Sequence, residues 1–88
     1  MRLIWICDTP DAIWNAAVAL ENCSLSLGRV MFPDRPRGYV AATRSLAHYA
    51  YNKSTAMRCR LKGDINAALN YEAICERIYD NLPDYAKW

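Results

Sequence analysis

The chain has 88 residues, of which 53% are hydrophobic and 23% charged, and 11 Lys and Arg against 9 Asp and Glu give a formal net charge of +2. A chain of this size buries roughly three-fifths of its unfolded surface, enough for one core, which excludes a substrate domain beside a cofactor domain. Ordinary glycine and proline numbers, with six Tyr and three Trp, exclude a disordered tail or a collagen-like chain and leave one folded domain over residues 1–88.

At the start of the chain the apolar run of residues 3–7 ends at Asp8 and Pro10. That is shorter than the about 7–15 apolar residues of a secretory leader and the about 18 of a membrane span, so no membrane association and a cytoplasmic location are expected. Cys7, Cys23, Cys59 and Cys75 are widely spread. Reduced thiols fit that setting better than disulfides. With no two cysteines at zinc-ligand spacing and His48 the one histidine, no metal and no other cofactor is expected.

A first helix is predicted over about residues 10–26. Thr9 or Asp8 can cap it, Pro10 suits its first position, and Ile13, Trp14, Ala17, Val18 and Leu25 recur at helical steps. Residues 28–38 hold two glycines and two prolines and read as a connector that cannot be helical throughout. Its apolar island, Val30-Met31-Phe32, suggests a short two-stranded element formed by residues 2–7 and 29–32, with packed irregular segments or an intersubunit sheet as the alternatives.

A second helix is predicted over 39–62 and a third over 64–82, with Gly63 in the left-handed closing position, Asp64 as the next cap and Pro83 as the stop. So short a turn makes the two helices antiparallel neighbours. The expected fold is therefore mainly α: a small three-helix domain with an antiparallel hairpin (39–62/64–82). On the second helix Thr43, Ala47, Ala50 and Ser54 form a small-residue stripe expected to receive the third helix, with Leu69 and Tyr79 filling its gaps. The opposite face, around Tyr49 with Ala42, Ser45, Asn52 and Ala56, is expected to receive the first helix or a second copy of the chain, which leaves a homodimer open.

Counted by segment, residues 1–38 carry four basic and four acidic side chains, residues 39–63 five and none, and residues 64–88 two and five. A neutral segment is thus followed by a basic helix and an acidic one. Arg44, His48, Tyr51, Arg58 and Lys62 share about one quadrant of the second helix and are the candidate nucleic-acid contacts. On the third helix Glu72, Glu76 and Asp80 follow a four-residue step about 6 Å apart. These carboxylates are met either by the basic helix, as exposed ion pairs, or by a partner, with Tyr71 and Tyr79 as rim anchors. No nucleophile stands with an oriented base and no glycine-rich phosphate loop is present, so the chain is not expected to be an enzyme.

Ala56-x-Arg58, Gly63-x-Ile65, Ala68, Tyr71-Glu72, Glu76-x-x-Ile78-Tyr79, Leu82-Pro83 and Lys87-Trp88 together resemble the C-terminal half of small helical proteins carried by bacterial phages and plasmids. The resemblance covers roughly the last 35 residues and carries over no functional residue. It implies a mobile-element protein that binds and blocks a host protein or protein–nucleic acid complex, such as a CRISPR–Cas complex, in the manner of an anti-CRISPR. The expected function is accordingly a protein–protein interaction module, a small inhibitor binding through Tyr71, Glu72, Glu76, Tyr79 and Asp80. The alternative is a small basic nucleic-acid-binding protein using Arg44, His48, Tyr51, Arg58 and Lys62; direct nucleic-acid binding is the weaker reading because the acidic helix opposes it.

Overall fold

The computed structural model describes residues 9–88, which fold into four α-helices: α1 (Pro10–Asn22), α2 (Ser24–Met31), α3 (Tyr39–Lys62) and α4 (Ile65–Asp80). A single 3₁₀ turn follows at Asp84–Ala86. The longest helix, α3, is the spine of a body measuring 42 × 22 × 19 Å. Against it pack α1 along one flank, α4 along another and the short α2 near its start, while α1 and α4 share no packed interface.

The local signals act where the residues place them. Thr9 caps α1 by accepting the Ala12 N–H at 3.2 Å, with Pro10 in the first turn. At the hairpin Gly63 has φ 83°, the left-handed conformation that glycine adopts without steric cost. Its N–H donates to the Arg60 carbonyl and the Asp64 N–H to the Cys59 carbonyl, the double bond of a Schellman closure. Asp64 then caps α4 through the Ala67 N–H.

The expected first helix divides in two. α1 ends at Asn22, Cys23 takes a non-helical conformation, and α2 sets off in a new direction through Gly28. The reason is packing: a Cβ on Gly28 would lie 2.8 Å from Thr43 Oγ1 and 2.9 Å from Tyr39, so the bare glycine lets α2 rest directly on α3. A residue that reads as a helix stop is here the contact that keeps the helix on its support. The expected β element fails for the same reason. Arg29, Val30 and Met31 form the last turn of α2, and the Phe32 N–H still bonds the Gly28 carbonyl, so 29–32 is not a strand. Its intended mate, residues 2–7, lies outside the described residues, among which there is no strand.

The core gathers Ile13, Ala17 and Leu20 of α1, Ala42, Leu46, Ala47 and Ala50 of α3, and Phe32, Leu82 and Ala86 from the connector and C-terminal turn. This reverses the expected partners of α3. The stripe of Thr43, Ala47, Ala50 and Ser54 faces α2 at Thr43 and α1 beyond it, where the buried Ser54 hydroxyl donates to the Pro10 carbonyl at 2.7 Å. The Tyr49 face receives α4, whose Cys75 thiol donates to the Tyr49 carbonyl at 3.6 Å, so a second copy is not seated there. Both faces of α3 carry small residues, so either helix fitted either one by size. The chain path decides: α1 enters at Ser54, and α4 takes the flank left open. Leu69, expected in a gap of the stripe, is instead 52% exposed.

Candidate functional site

Two helices meeting at small residues leave a furrow beside the line of contact. Ala68, Cys75 and Leu82 turn toward α3 and are buried. Next to them Glu72, Glu76, Tyr79 and Asp80 of α4 look across to Lys53, Met57 and Arg60 of α3, with Tyr49, Ala56 and Trp88 completing the walls. The groove so formed has a volume of about 620 Å³.

Its charges are distributed unevenly. Arg60 forks onto Glu72, Nε to Oε2 at 2.6 Å and Nη2 to Oε1 at 2.7 Å, a two-point geometry that only guanidinium offers a carboxylate. The fork holds the Glu72 carboxyl below its ordinary pKa, with Lys53 adding a smaller pull, and raises Arg60 in turn. Glu76 and Asp80, the next two members of the line, are exposed and make no ion pair among the described residues. At the far end the Tyr79 hydroxyl donates to the Trp88 carbonyl at 2.7 Å, and the Trp88 ring stands edge-on to Tyr79 and Tyr49, at centroid distances of 4.6 and 5.0 Å. Lys87 lies over the Tyr79 ring, 5.7 Å from its centroid.

The groove's thiol is no nucleophile. Burial, assisted by Glu72 and Glu76 and opposed by Lys53, pushes Cys75 up to about 11, so it is protonated at neutral pH. Burial likewise raises the Tyr49 phenol, with Cys75 the next cause. Aromatic edges, a thioether and, among the described residues, one cation and two carboxylates outside any ion pair suit recognition of a chain that is apolar and charged in turn.

Of the five expected partner contacts, the structure brings four together. Glu72, Glu76, Tyr79 and Asp80 line the groove; Tyr71 does not, because one residue before Glu72 it is turned about 100° to the other flank of α4, where it is half-buried. Glu72 and Tyr79 are also committed internally, to Arg60 and Trp88. The basic quadrant is split as well. Arg58 bonds Asp11 at 2.6 Å and lies over the Trp14 ring, and Tyr51 donates to Glu21 at 3.0 Å with its ring edge-on to Trp14. Both belong to the seam with α1. Arg44, His48 and Lys62 stay exposed and without an ion pair among the described residues.

The groove residues missed as contacts in the sequence are Lys53, Met57, Arg60 and Trp88, while Tyr49 was expected to face the first helix or a second copy. Lys53 and Arg60 did stand on the opposite edge of the apolar stripe from Arg44 and Arg58, and that separation was the available signal. Among the described residues no three His, Cys, Asp or Glu side chains converge as a metal would need, and no helix is long and apolar enough to cross a membrane. Compared with known proteins, the chain matches no protein family, no curated protein and no solved structure.

Proposed function

We propose that this chain is a non-catalytic binding domain that docks a partner protein along the α3–α4 groove, its partner being a host protein or protein–nucleic acid complex that it blocks. The resemblance to phage and plasmid proteins makes a CRISPR–Cas complex the most specific version of that partner. One observation carries the reading: Glu76 and Asp80 stand one helical turn apart on the rim of an aromatic-lined groove and, among the described residues, no cation forms an ion pair with them, whereas Glu72 beside them has one. Like charges at that spacing repel, so the pair is stabilised by whatever brings positive charge to it. A partner segment carrying Lys or Arg next to an apolar side chain meets both requirements, with Tyr79, Trp88 and Met57 taking the apolar part.

The test is capture from a bacterial lysate by the immobilised full chain, with and without nuclease, wild type beside the Glu76→Gln/Asp80→Asn variant. A protein retained by the wild type after nuclease treatment should be retained about tenfold less by the variant, and its release from the wild type should be the more salt-sensitive of the two. A matched assay of CRISPR–Cas interference in cells should show protection by the wild type alone. Equal capture by both proteins removes the groove from the function.

A further inference from the structure

The side of α3 that faces away from the groove has a different chemistry, and it is independent of the reading above. In its 24 residues α3 has no carboxylate. The structure sorts its cations into three groups. Arg58 is spent on Asp11 of α1 and Arg60 on Glu72 of α4; Lys53 lines the groove. Arg44 and Lys62 are each nine residues from Lys53, which at about 100° per residue is half a revolution, so both point directly away from the groove. They are also in line with one another, five turns and about 27 Å apart, with the exposed His48 between them.

Among the described residues no acidic side chain forms an ion pair with Arg44 or Lys62. Glu72, Glu76 and Asp80 border the groove on the far side, Asp11 bonds Arg58 and Glu21 accepts from Tyr51. Asp64, at the Lys62 end, spends a carboxylate oxygen on the Ala67 N–H. At the other end the connector presents Asp34 with two cations, Arg35 and Arg37, all three exposed. This turn is braced: the Arg35 N–H bonds the Phe32 carbonyl, and the Tyr85 hydroxyl donates to the Arg37 carbonyl at 3.2 Å. A net charge of +2 therefore hides a rigid, straight cationic edge.

We infer that the outward edge of α3, formed by Arg44, His48 and Lys62, binds the phosphate backbone of a double-stranded nucleic acid. Laid along the axis of a duplex, a line of 27 Å spans roughly eight base-pair steps of about 3.4 Å. Duplex is favoured over single strand because single-strand binding leans on base stacking, and the aromatic rings of α3 are engaged elsewhere: Tyr51 against Trp14, Tyr49 against Trp88, and Tyr39 half-buried beneath Gly28. No element of this edge reads a base, so binding is independent of sequence.

Fluorescence anisotropy of a labelled 20-base-pair duplex with the full chain, from 25 to 200 mM salt, tests this. Two cations, Arg44 and Lys62, give a slope of log K against log salt of about −2. Two variants that remove the same net charge discriminate position from charge: Arg44→Gln/Lys62→Gln should weaken binding at least about tenfold and reduce the slope by about 2, whereas Arg58→Gln/Arg60→Gln should change affinity less than about threefold. Circular dichroism confirms the fold of both, and the two replaced side chains of the first are exposed and in no ion pair among the described residues. Equal losses in the two variants, tighter binding of the single strand than of the duplex, or no binding at 25 mM salt each overturns the proposal. Glu76→Gln/Asp80→Asn should leave duplex affinity within about twofold, which separates this edge from the groove.

Discussion

α1 and α4 both lie along α3, yet they are held by different means. On the α1 flank Ile13, Ala17 and Leu20 form one apolar cluster with Leu46, Ala47 and Ala50, all of them buried, and the polar Ser54 is satisfied by the Pro10 carbonyl. On the α4 flank the buried set shrinks to Ala56, Ala68 and Cys75, with Leu82 just past the end of α4, and the remaining contact is made by half-buried tyrosines, an Arg60–Glu72 fork and the C-terminal Trp88. Burying an aliphatic side chain is worth about 1.5–3 kcal/mol, whereas an exposed ion pair contributes little. The first flank therefore supplies the stability, and the second is free to keep a groove open. Toward the hairpin tip the α4 flank even leaves Ile65 and Leu69 46% and 52% exposed, with Leu61 of α3 beside them at 78%.

The strongest way to break this contrast is Leu46→Ala. Leu46 is fully buried in the α1 cluster, and removing a side chain of that size from a packed core costs about 2–5 kcal/mol, a large share of the stability of a domain this small. Urea unfolding followed by circular dichroism should show that loss as a lower midpoint with an unchanged slope. On the α4 flank Cys75→Ala should cost on the order of 1 kcal/mol. Equal costs would mean that the two flanks carry the fold together.

The hairpin was legible because its signals are covalent and local: Gly63 for the left-handed turn, Asp64 for the cap, Pro83 beyond the end. The choice of neighbours was not legible. Thr43, Ala47, Ala50 and Ser54 and the Tyr49 face are both lined with small residues, and nothing in a helical period says which of two suitable faces an incoming helix will take. The kink at Cys23 was hidden for a similar reason, since its cause, the bare Gly28 against Tyr39 and Thr43, lies in another helix. In the site, the carboxylate line was legible from its four-residue step, but the division of labour along it was not. Arg60 reaches Glu72 and no further, and Tyr71 misses the groove by the angle of one residue.

The thiols sharpen the contrast at high pH. Cys75 is pushed up to about 11, above the about 8.5 of a free thiol, so the folded state holds its proton more tightly than the unfolded chain. Its contribution is complete below the ordinary thiol value and is lost as pH rises through the folded value. Stability should thus decline between about pH 9 and 11, with Tyr49 adding to the decline because its phenol is also raised. Cys75→Ala should flatten the curve. Alkylation at pH 8 with peptide mapping should label Cys23, which is exposed, well before Cys75, which is buried; equal rates would mean that α4 opens from α3 readily.

The smallest effect concerns the Arg60–Glu72 fork and runs in the opposite direction with pH. Glu72 is held below its ordinary value, first by the Arg60 hydrogen bonds, so the unfolded chain takes up its proton before the folded one does. The fork's contribution is present above the ordinary carboxylate range of about 4.3 and is lost as pH falls through the lower folded value. Glu72→Gln keeps the shape and one hydrogen-bond acceptor but removes the charge, so the variant should be slightly less stable at pH 7 and should converge on the wild type below about pH 4. Both partners are largely solvated, so added salt should shrink the pH 7 difference further. A difference that persisted in acid or in high salt would assign the contact to packing of the Arg60 stem along the groove, and the α4 flank would then be held by the same means as the α1 flank.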